Sequence, residues 1–224
     1  MATTGTIIIA DDHPLFRDAL RQALTGLDQA REVEMAGDYD HVQALIERGE
    51  EIDLVLLDLN MPGAKGLAGL LRLRSEYPQV PVAVISATED AATIRRVLEL
   101  GASGFIPKSA AMPEIRQAIS TVLDGSVWTP ANVAADAEED SEFFELAERL
   151  RTLTPQQSKV LGMLGEGLLN KQIAYELGVS EATVKAHVSA VLLKLGVDSR
   201  TQAVIALSRL GFAPGETREG AGAI

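Results

Sequence analysis

Short apolar runs alternate with helix-period segments along the first 125 residues. The runs are Thr6–Ala10, a weaker one near Val33–Ala36, Asp53–Leu57, Val80–Ile85 and Gly104–Ile106. Between them Leu15, Phe16, Ala19, Leu20, Ala23 and Leu24 recur at helical spacing. So do Ile94, Val97 and Leu98, and then Ile115, Ala118, Ile119 and Val122. Five strand–helix units in succession predict an α/β doubly wound, five-stranded parallel sheet with helices on both faces. Pro107 lacks a backbone N–H, so the fifth strand belongs at an edge of that sheet.

The pattern then changes. Gly125–Asp140 is loop-like and acidic, and Ser141 is placed to cap a helix whose apolar side carries Phe144, Ala147 and Leu150, with Phe143 as a further candidate. Residues 154–210 show no strand pattern and divide into four short helices at "GEGLLN", "GVS" and "GVDS". The Gly-rich tail 213–224 is expected to be disordered. The organisation expected is therefore an α/β domain at 1–125, an acidic linker with a helix at 126–152, an all-α domain at 153–212 and a tail.

Charge sharpens that boundary. The net charge of −12 is uneven: residues 1–130 hold 11 Lys/Arg against 19 Asp/Glu, residues 131–152 hold 2 against 7, and residues 153–224 hold 7 against 6. The absence of cysteine excludes a disulfide scaffold, Cys–zinc sites and thiol catalysis. No apolar run is long enough for a membrane span, and "MATTGTIII" has neither a basic n-region nor a long apolar h-region, so a cytoplasmic protein is expected.

The stretch "DLVLLDLNMPG" carries the first candidate chemistry. A strand that reads as buried on both faces stops on Asp58, and Asn60, Pro62 and Gly63 turn the chain away. In an open parallel sheet, ligands bind beyond the carboxyl ends of the strands. That rule gathers Asp11–Asp12 from the first strand, Asp58 from the third, Ser86 from the fourth and Lys108 from the fifth. Each residue alone is an ordinary strand-end or surface residue. Together they are three acids, a hydroxyl and an ammonium at one edge. Like charges ~4 Å apart cost roughly 4 kcal/mol at an effective dielectric of ~20, so either the acids hold protons or a cation joins them. All-oxygen ligands suit Mg²⁺, which accepts phosphate as a co-ligand. The group is suited to a phosphoryl transfer with Asp58 as nucleophile and Ser86 and Lys108 on the phosphoryl oxygens.

The second candidate lies in "LTPQQSKVLGMLGEGLLNKQIAYELGVSEATVKAHVSAVLLKLGV". Thr154 caps a helix with Pro155 at its first position. Lys171–Leu177 forms a short helix, "GVS" a tight turn, and Ser180 caps a helix over Glu181–Leu195. Helix, Gly-containing turn, helix is the helix-turn-helix pattern, although a plain helical bundle shares it. Val184, Val188, Val191, Leu192 and Leu195 form the inward stripe of the second helix. Ala186, Ser189 and Leu193, with Lys185 beside them, face outward, where a recognition helix meets the major groove. Residues 153–212 carry 6 basic and 4 acidic residues, so a monomer is expected to bind DNA weakly and two half-sites read by a dimer are needed.

Asp11–Asp12, Asp58, "MPG", Ser86, Phe105 and Lys108, in this order, resemble the flavodoxin-like receiver domain of bacterial two-component response regulators. "LTP", "GEGLLNKQIA", "LGVSEATVKAHVSAVLLKLGV" and "SRTQAV" resemble the LuxR-type DNA-binding domain. Together they place the chain, except its tail, beside the NarL/FixJ class. The resemblance implies a phosphorylation-controlled transcription regulator. Asp58 is the implied phosphoacceptor, fed by a cognate histidine kinase. Asp12, Asp58 and the backbone carbonyl of Asn60 are the implied Mg²⁺ ligands, with Asp11 assisting. Ser86 and Phe105 are the implied switch pair. Lys185, Ala186 and Ser189 are implied to face bases of a double-stranded operator, and Lys171, Thr183 and Lys194 to lie near its backbone. Phosphorylation is implied to favour a homodimer, with contact to RNA polymerase as another route to an output. Three departures stand out: Phe105 lacks the hydroxyl of the Tyr often found there, Ser189 stands where Lys or Arg is frequent, and Gln157 and Gln172 replace usual glutamates. One rival reading is an interaction module whose receiver controls a partner protein; the other is a phosphotransferase or phosphatase with Asp58 as nucleophile, such as a haloacid-dehalogenase phosphatase. That phosphatase wants a second acid two residues after the nucleophile, where this chain has Asn60.

Overall fold

The computed structural model describes residues 5–25, 31–131 and 141–209. The tail expected to be disordered, and most of the acidic stretch before Ser141, lie outside the described residues. The chain divides into two compact units, Met1–Glu139 and Asp140–Ile224. Among the described residues no helix is long and apolar enough to cross a membrane.

In the first unit, β1 (Thr6–Ala10), β2 (Glu32–Ala36), β3 (Ile52–Asp58), β6 (Val82–Ser86) and β7 (Gly104–Pro107) form one parallel sheet in the order β2-β1-β3-β6-β7. Between β3 and β6 lies a two-stranded hairpin, β4 (Asn60–Met61) with β5 (Ala64–Lys65), turned at Pro62–Gly63. The hairpin is absent from the sequence reading, because two-residue strands leave no periodicity. Helices α1 (Pro14–Leu24), α2 (Tyr39–Glu47), α3 (Ala68–Glu76), α4 (Ala91–Glu99) and α5 (Met112–Leu123) complete the unit. The core is aliphatic: Ile7, Ile9, Leu54, Leu56 and Ile85 of the sheet pack with Leu20 and Leu24 of α1 and Ile115 and Ile119 of α5. The weak run over β2 has its reason here, since β2 is an edge strand and its Val33 and Met35 are only half buried.

β7 is the opposite edge of the five strands, as Pro107 requires. Its outer side is nonetheless paired: the Phe105 N–H donates to the Trp128 carbonyl at 3.1 Å, and the Trp128 N–H donates to the Ser103 carbonyl at 3.1 Å. Gly104 permits this approach, because a Cβ there would lie 3.1 Å from the Trp128 Cβ. On α1, Leu15 shares the helical spacing of the apolar set, but it is 85% exposed. Adjacent positions on a helix point about 100° apart, and Phe16 takes the inward direction instead.

The second unit comprises α6 (Ser141–Arg151), α7 (Pro155–Gly165), α8 (Asn170–Leu177), α9 (Glu181–Leu195) and α10 (Arg200–Arg209). Thr154 and Gln157 make a reciprocal capping box on α7, and the Ser180 hydroxyl caps α9 by accepting the Thr183 N–H at 3.1 Å. Gly178 and Gly196 end α8 and α9 in the left-handed conformation, at φ +64° and +69°. The helix read as part of a linker packs against α9 within this unit. Its buried stripe is Phe143, Ala147 and Leu150, at i, i+4 and i+7, so Phe143 is the inward aromatic and Phe144 is only half buried.

Tyr39, at the start of α2, is a packing anomaly. It is fully buried, its hydroxyl has no hydrogen-bond partner, and burial pushes its phenol well above the usual range. An unsatisfied buried hydroxyl costs about 1–3 kcal/mol. Tyr39→Phe is therefore expected to leave thermal stability unchanged or raise it by a few degrees; a lower melting temperature by calorimetry would show that the hydroxyl has a stabilising partner.

Candidate acid cluster and DNA-reading helix

The acid cluster forms where four strands end. Asp11 follows β1 directly, Asp58 is the last residue of β3, Ser86 is the last of β6, and Lys108 follows β7. Asp11 and Asp58 are 1% and 2% exposed, while Asp12 is exposed at the rim. The Lys108 ammonium lies 2.7 Å from Asp11 Oδ2 and 3.2 Å from Asp58 Oδ2. It also sits 5.0 Å above the centre of the Phe16 ring. By hydrogen-bond geometry, both oxygens of Asp58 and Oδ2 of Asp11 are unsatisfied, and the Lys108 ammonium lies against the two Oδ2 atoms. Burial lifts the Asp58 carboxyl above the usual carboxylate range. Lys108 opposes that, and the neighbouring Asp11 charge adds to it.

Oxygens of Asp11, Asp12 and Asp58 and the Nδ1 of His13 lie within 4.8 Å of one another. Unsatisfied carboxylate oxygens converging at this spacing fit a hard divalent cation. His13 is the fourth member of this group. It stands at the N-cap of α1 without a capping side-chain bond, and its ring is turned onto the acids, 2.6 Å from Asp12 Oδ1 and 3.1 Å from Asp11 Oδ1. Arg17 donates to the Asp11 carbonyl. Neither contact is readable from periodicity, and adjacency to the acid pair is the only signal for His13.

Asn60 is exposed at the foot of the hairpin, two residues after Asp58. Ser86 is fully buried; its hydroxyl accepts the Thr88 N–H at 3.1 Å, and its carbonyl accepts the Lys108 N–H at 2.8 Å. Phe105 is fully buried on β7, in register with Val84 of β6. The predicted residues Asp11, Asp12, Asp58 and Lys108 are thus in contact or close to it, and Ser86 and Phe105 stand on β6 and β7, the next two strands beyond β3 in the sheet.

In the second unit, α8 and α9 are joined by the turn at Gly178. Val184 packs with Val160, Leu164, Ile173 and Ala174, and Val191 and Leu195 are buried further along. Val188 and Leu192 complete the expected stripe as half-buried residues. Lys185, Ala186 and Ser189 are exposed on the other face, and Leu193 is 81% exposed. Lys185 pairs with Glu181 at 3.2 Å, one turn earlier. Lys171 is exposed at the start of α8, and the Thr183 hydroxyl shares a hydrogen bond with the Ser180 cap. Lys194 departs from the outward-facing set. It is half buried, and its ammonium donates to the Thr152 carbonyl at 2.6 Å and to Gln157 Oε1 at 2.8 Å. Gln157 and Gln172, which lack the charge of the expected glutamates, keep a capping role: their amide oxygens accept the N–H groups of Thr154 and Leu169.

Residues 7–120 match the response regulator receiver domain, and residues 151–207 match the luxR family of bacterial regulatory proteins. The glycerol metabolism activator of Pseudomonas putida is 42% identical over 212 residues, covering 92% of this chain and 96% of that protein. The nitrate/nitrite response regulator NarP of Escherichia coli K12 is 36% identical over 205 residues, covering 91% and 94%. Among solved structures, the RcsB response regulator of Salmonella typhimurium, studied for its interaction with DNA, aligns with a TM-score of 0.53 at 25% identity, over 92% of this chain and 99% of that one. The chain belongs to the bacterial response regulators that join a receiver domain to a LuxR-type DNA-binding domain and regulate transcription.

Proposed function

We propose that DNA binding by this regulator is controlled by phosphorylation of Asp58 from a histidine kinase, with Mg²⁺ held by Asp12, Asp58 and the Asn60 carbonyl and with Asp11 assisting. The observation that carries this reading is Asp58 itself: a buried carboxylate, unsatisfied by hydrogen bonds, at the end of a central strand and beside an ammonium. An Asp58 oxygen attacks the phosphorus of a phosphohistidine, the P–N bond breaks, and its electron pair stays on the imidazole. A bound Mg²⁺ supplies charge neutralisation and a ligand position for a phosphoryl oxygen. Lys108 is already placed to exchange part of its pairing with Asp58 for a phosphoryl oxygen. The Ser86 hydroxyl turns to another, and Phe105, already buried, repacks in response. The chain accepts a phosphoryl group and does not turn over substrate, because Asn60 stands where a phosphatase of this strand-end type needs an acid.

Phosphorylation then favours a dimer. Lys185, Ala186 and Ser189 face bases, and Lys171 and Thr183 lie near the DNA backbone. Residues 141–209 carry 8 basic and 7 acidic residues, so one copy neutralises few phosphates. A second contact in a dimer is effectively intramolecular and raises occupancy without new charge. The receiver's excess of acid restrains DNA binding until that dimer forms, since repulsion acts over a Debye length of ~8 Å at physiological salt.

Intact-mass analysis after treatment with acetyl phosphate and Mg²⁺ is expected to show one added phosphoryl group. Asp58→Asn and EDTA should each abolish it, and equal labelling of the variant would remove Asp58 from this role. The same variant replaces a buried charge beside Asp11 by a neutral amide, and Lys108 keeps Asp11 as its partner. Without Mg²⁺, its melting temperature is expected to rise by a few degrees.

DNA titrations test the restraint. The fragment from Asp140 onward, which retains α6, should bind a given duplex more tightly than the unphosphorylated full chain. Lys185→Ala should weaken both and relax discrimination at the base it faces, whereas Lys171→Ala should weaken both and lower the salt slope by about 0.9, the loss of one phosphate contact. Equal binding by fragment and full chain at two salt concentrations would exclude restraint by the receiver.

A further inference from the structure

We propose that Arg149 of α6 is a positioning residue for the DNA-reading helix α9, and that Lys194 serves the same joint from the other side instead of touching a DNA phosphate. The inference rests on α9 being the helix that enters DNA. The last carbonyls of a helix have no partner within it and carry its negative dipole end. At the end of α9, the N–H groups of Gly196 and Val197 turn back to Leu193 and Leu192. The carbonyl of Leu195 is met from outside, by Arg149 Nη1 at 3.0 Å. The approach is close enough that a Cβ on Gly196 would lie 2.9 Å from that nitrogen. In the reverse direction, Lys194 donates to the carbonyl of Thr152, just beyond α6, and to Gln157 of α7. Two of its three N–H groups are thus used inside the unit, on neutral acceptors. Beneath these bonds Phe143, Ala147 and Leu150 are buried.

α9 is therefore supported by the cluster around Val184, by α10, and by this joint with α6 at its far end. Lys185 is nine residues before Lys194, roughly 13 Å along the axis at 1.5 Å per residue. A tilt of about 10° over that span moves one end by roughly 2 Å relative to the other, which is beyond the tolerance of a hydrogen bond to a base edge. Fixing the joint fixes the angle at which Lys185, Ala186 and Ser189 meet a groove.

Arg149 has a half-exposed side chain, so Arg149→Ala should fold. The test uses full-length protein treated with acetyl phosphate and Mg²⁺, and a labelled duplex selected by the wild type from a random pool. Titrations are run at several salt concentrations, below the melting temperature of every variant. Arg149→Ala is expected to weaken binding about fivefold, the scale of one cation at a helix end, and to reduce discrimination against a scrambled duplex. Its slope of log affinity against log salt should stay unchanged, and Arg149→Lys should recover most of the loss. Lys194→Ala should likewise weaken binding with an unchanged slope. If Arg149→Ala lowers the melting temperature but leaves affinity and discrimination intact, Arg149 is structural only and the proposal fails. A slope reduced by about 0.9 in Lys194→Ala would make Lys194 a phosphate contact and overturn its half of the joint. If the wild type selects no duplex at all, α9 does not read DNA, and the failure belongs to that reading.

Discussion

One ammonium holds the receiver's site together. Asp11 and Asp58 are buried at adjacent strand ends, and both oxygens of Asp58 and Oδ2 of Asp11 lack hydrogen-bond partners. Without a cation between them, the two charges would repel and pay full desolvation. Lys108 reaches both from beyond β7, and the Phe16 ring supports it from below. That arrangement depends on the strand order. β1 and β3 must be neighbours for their acids to meet, and β7 must end at the same edge for Lys108 to reach across β6. Register matters as much, because a one-residue slip in β3 would send Asp58 to the other face. The aliphatic core fixes the register, and the register assembles the site.

Such a cluster stores electrostatic strain. The lifted proton affinity of Asp58 shows that desolvation outweighs the help from Lys108. A group that brings positive charge, or spreads the negative charge over more oxygens, therefore changes the energy of this corner more than it would an exposed acid. The neighbours through which a change could pass are the stiff ones. Ser86 and Phe105 are fully buried, so movement of either requires repacking around it. The backbone of Phe105 is also bonded to Trp128, the segment leading out of the receiver.

The sequence was most informative where one physical rule governs many residues. Continuous apolar runs marked the parallel strands, and the rule that sites form beyond strand ends collected Asp11, Asp12, Asp58, Ser86 and Lys108 before any coordinate. It was least informative where a residue's direction depends on a single packing choice. Leu15 and Phe16 satisfy the same periodicity, and only one of them can turn inward. The β4–β5 hairpin is too short for a period. The turn of His13 onto the acids and the inward reach of Lys194 are rotamer choices, set by carboxylates and carbonyls that the chain brings near only after folding. Glutamine at 157 removed an expected ion pair, but its amide oxygen accepts from Lys194 all the same.

The two units meet the problem of charge in opposite ways. The receiver concentrates like charges where water cannot screen them. The DNA-reading unit keeps a near balance of charge and exposes a small, weakly polar face of Ala186, Ser189 and Leu193. If this face is the one that meets DNA, as proposed, few cations mean little gain from counterion release, and discrimination then depends on angle and fit more than on attraction. Fit of that kind is sensitive to how firmly the helix is held. That sets the clamp of Arg149 and Lys194 apart from an ordinary surface contact: in a strongly basic domain a loose helix is compensated by phosphate attraction, whereas here few charges are available to compensate it.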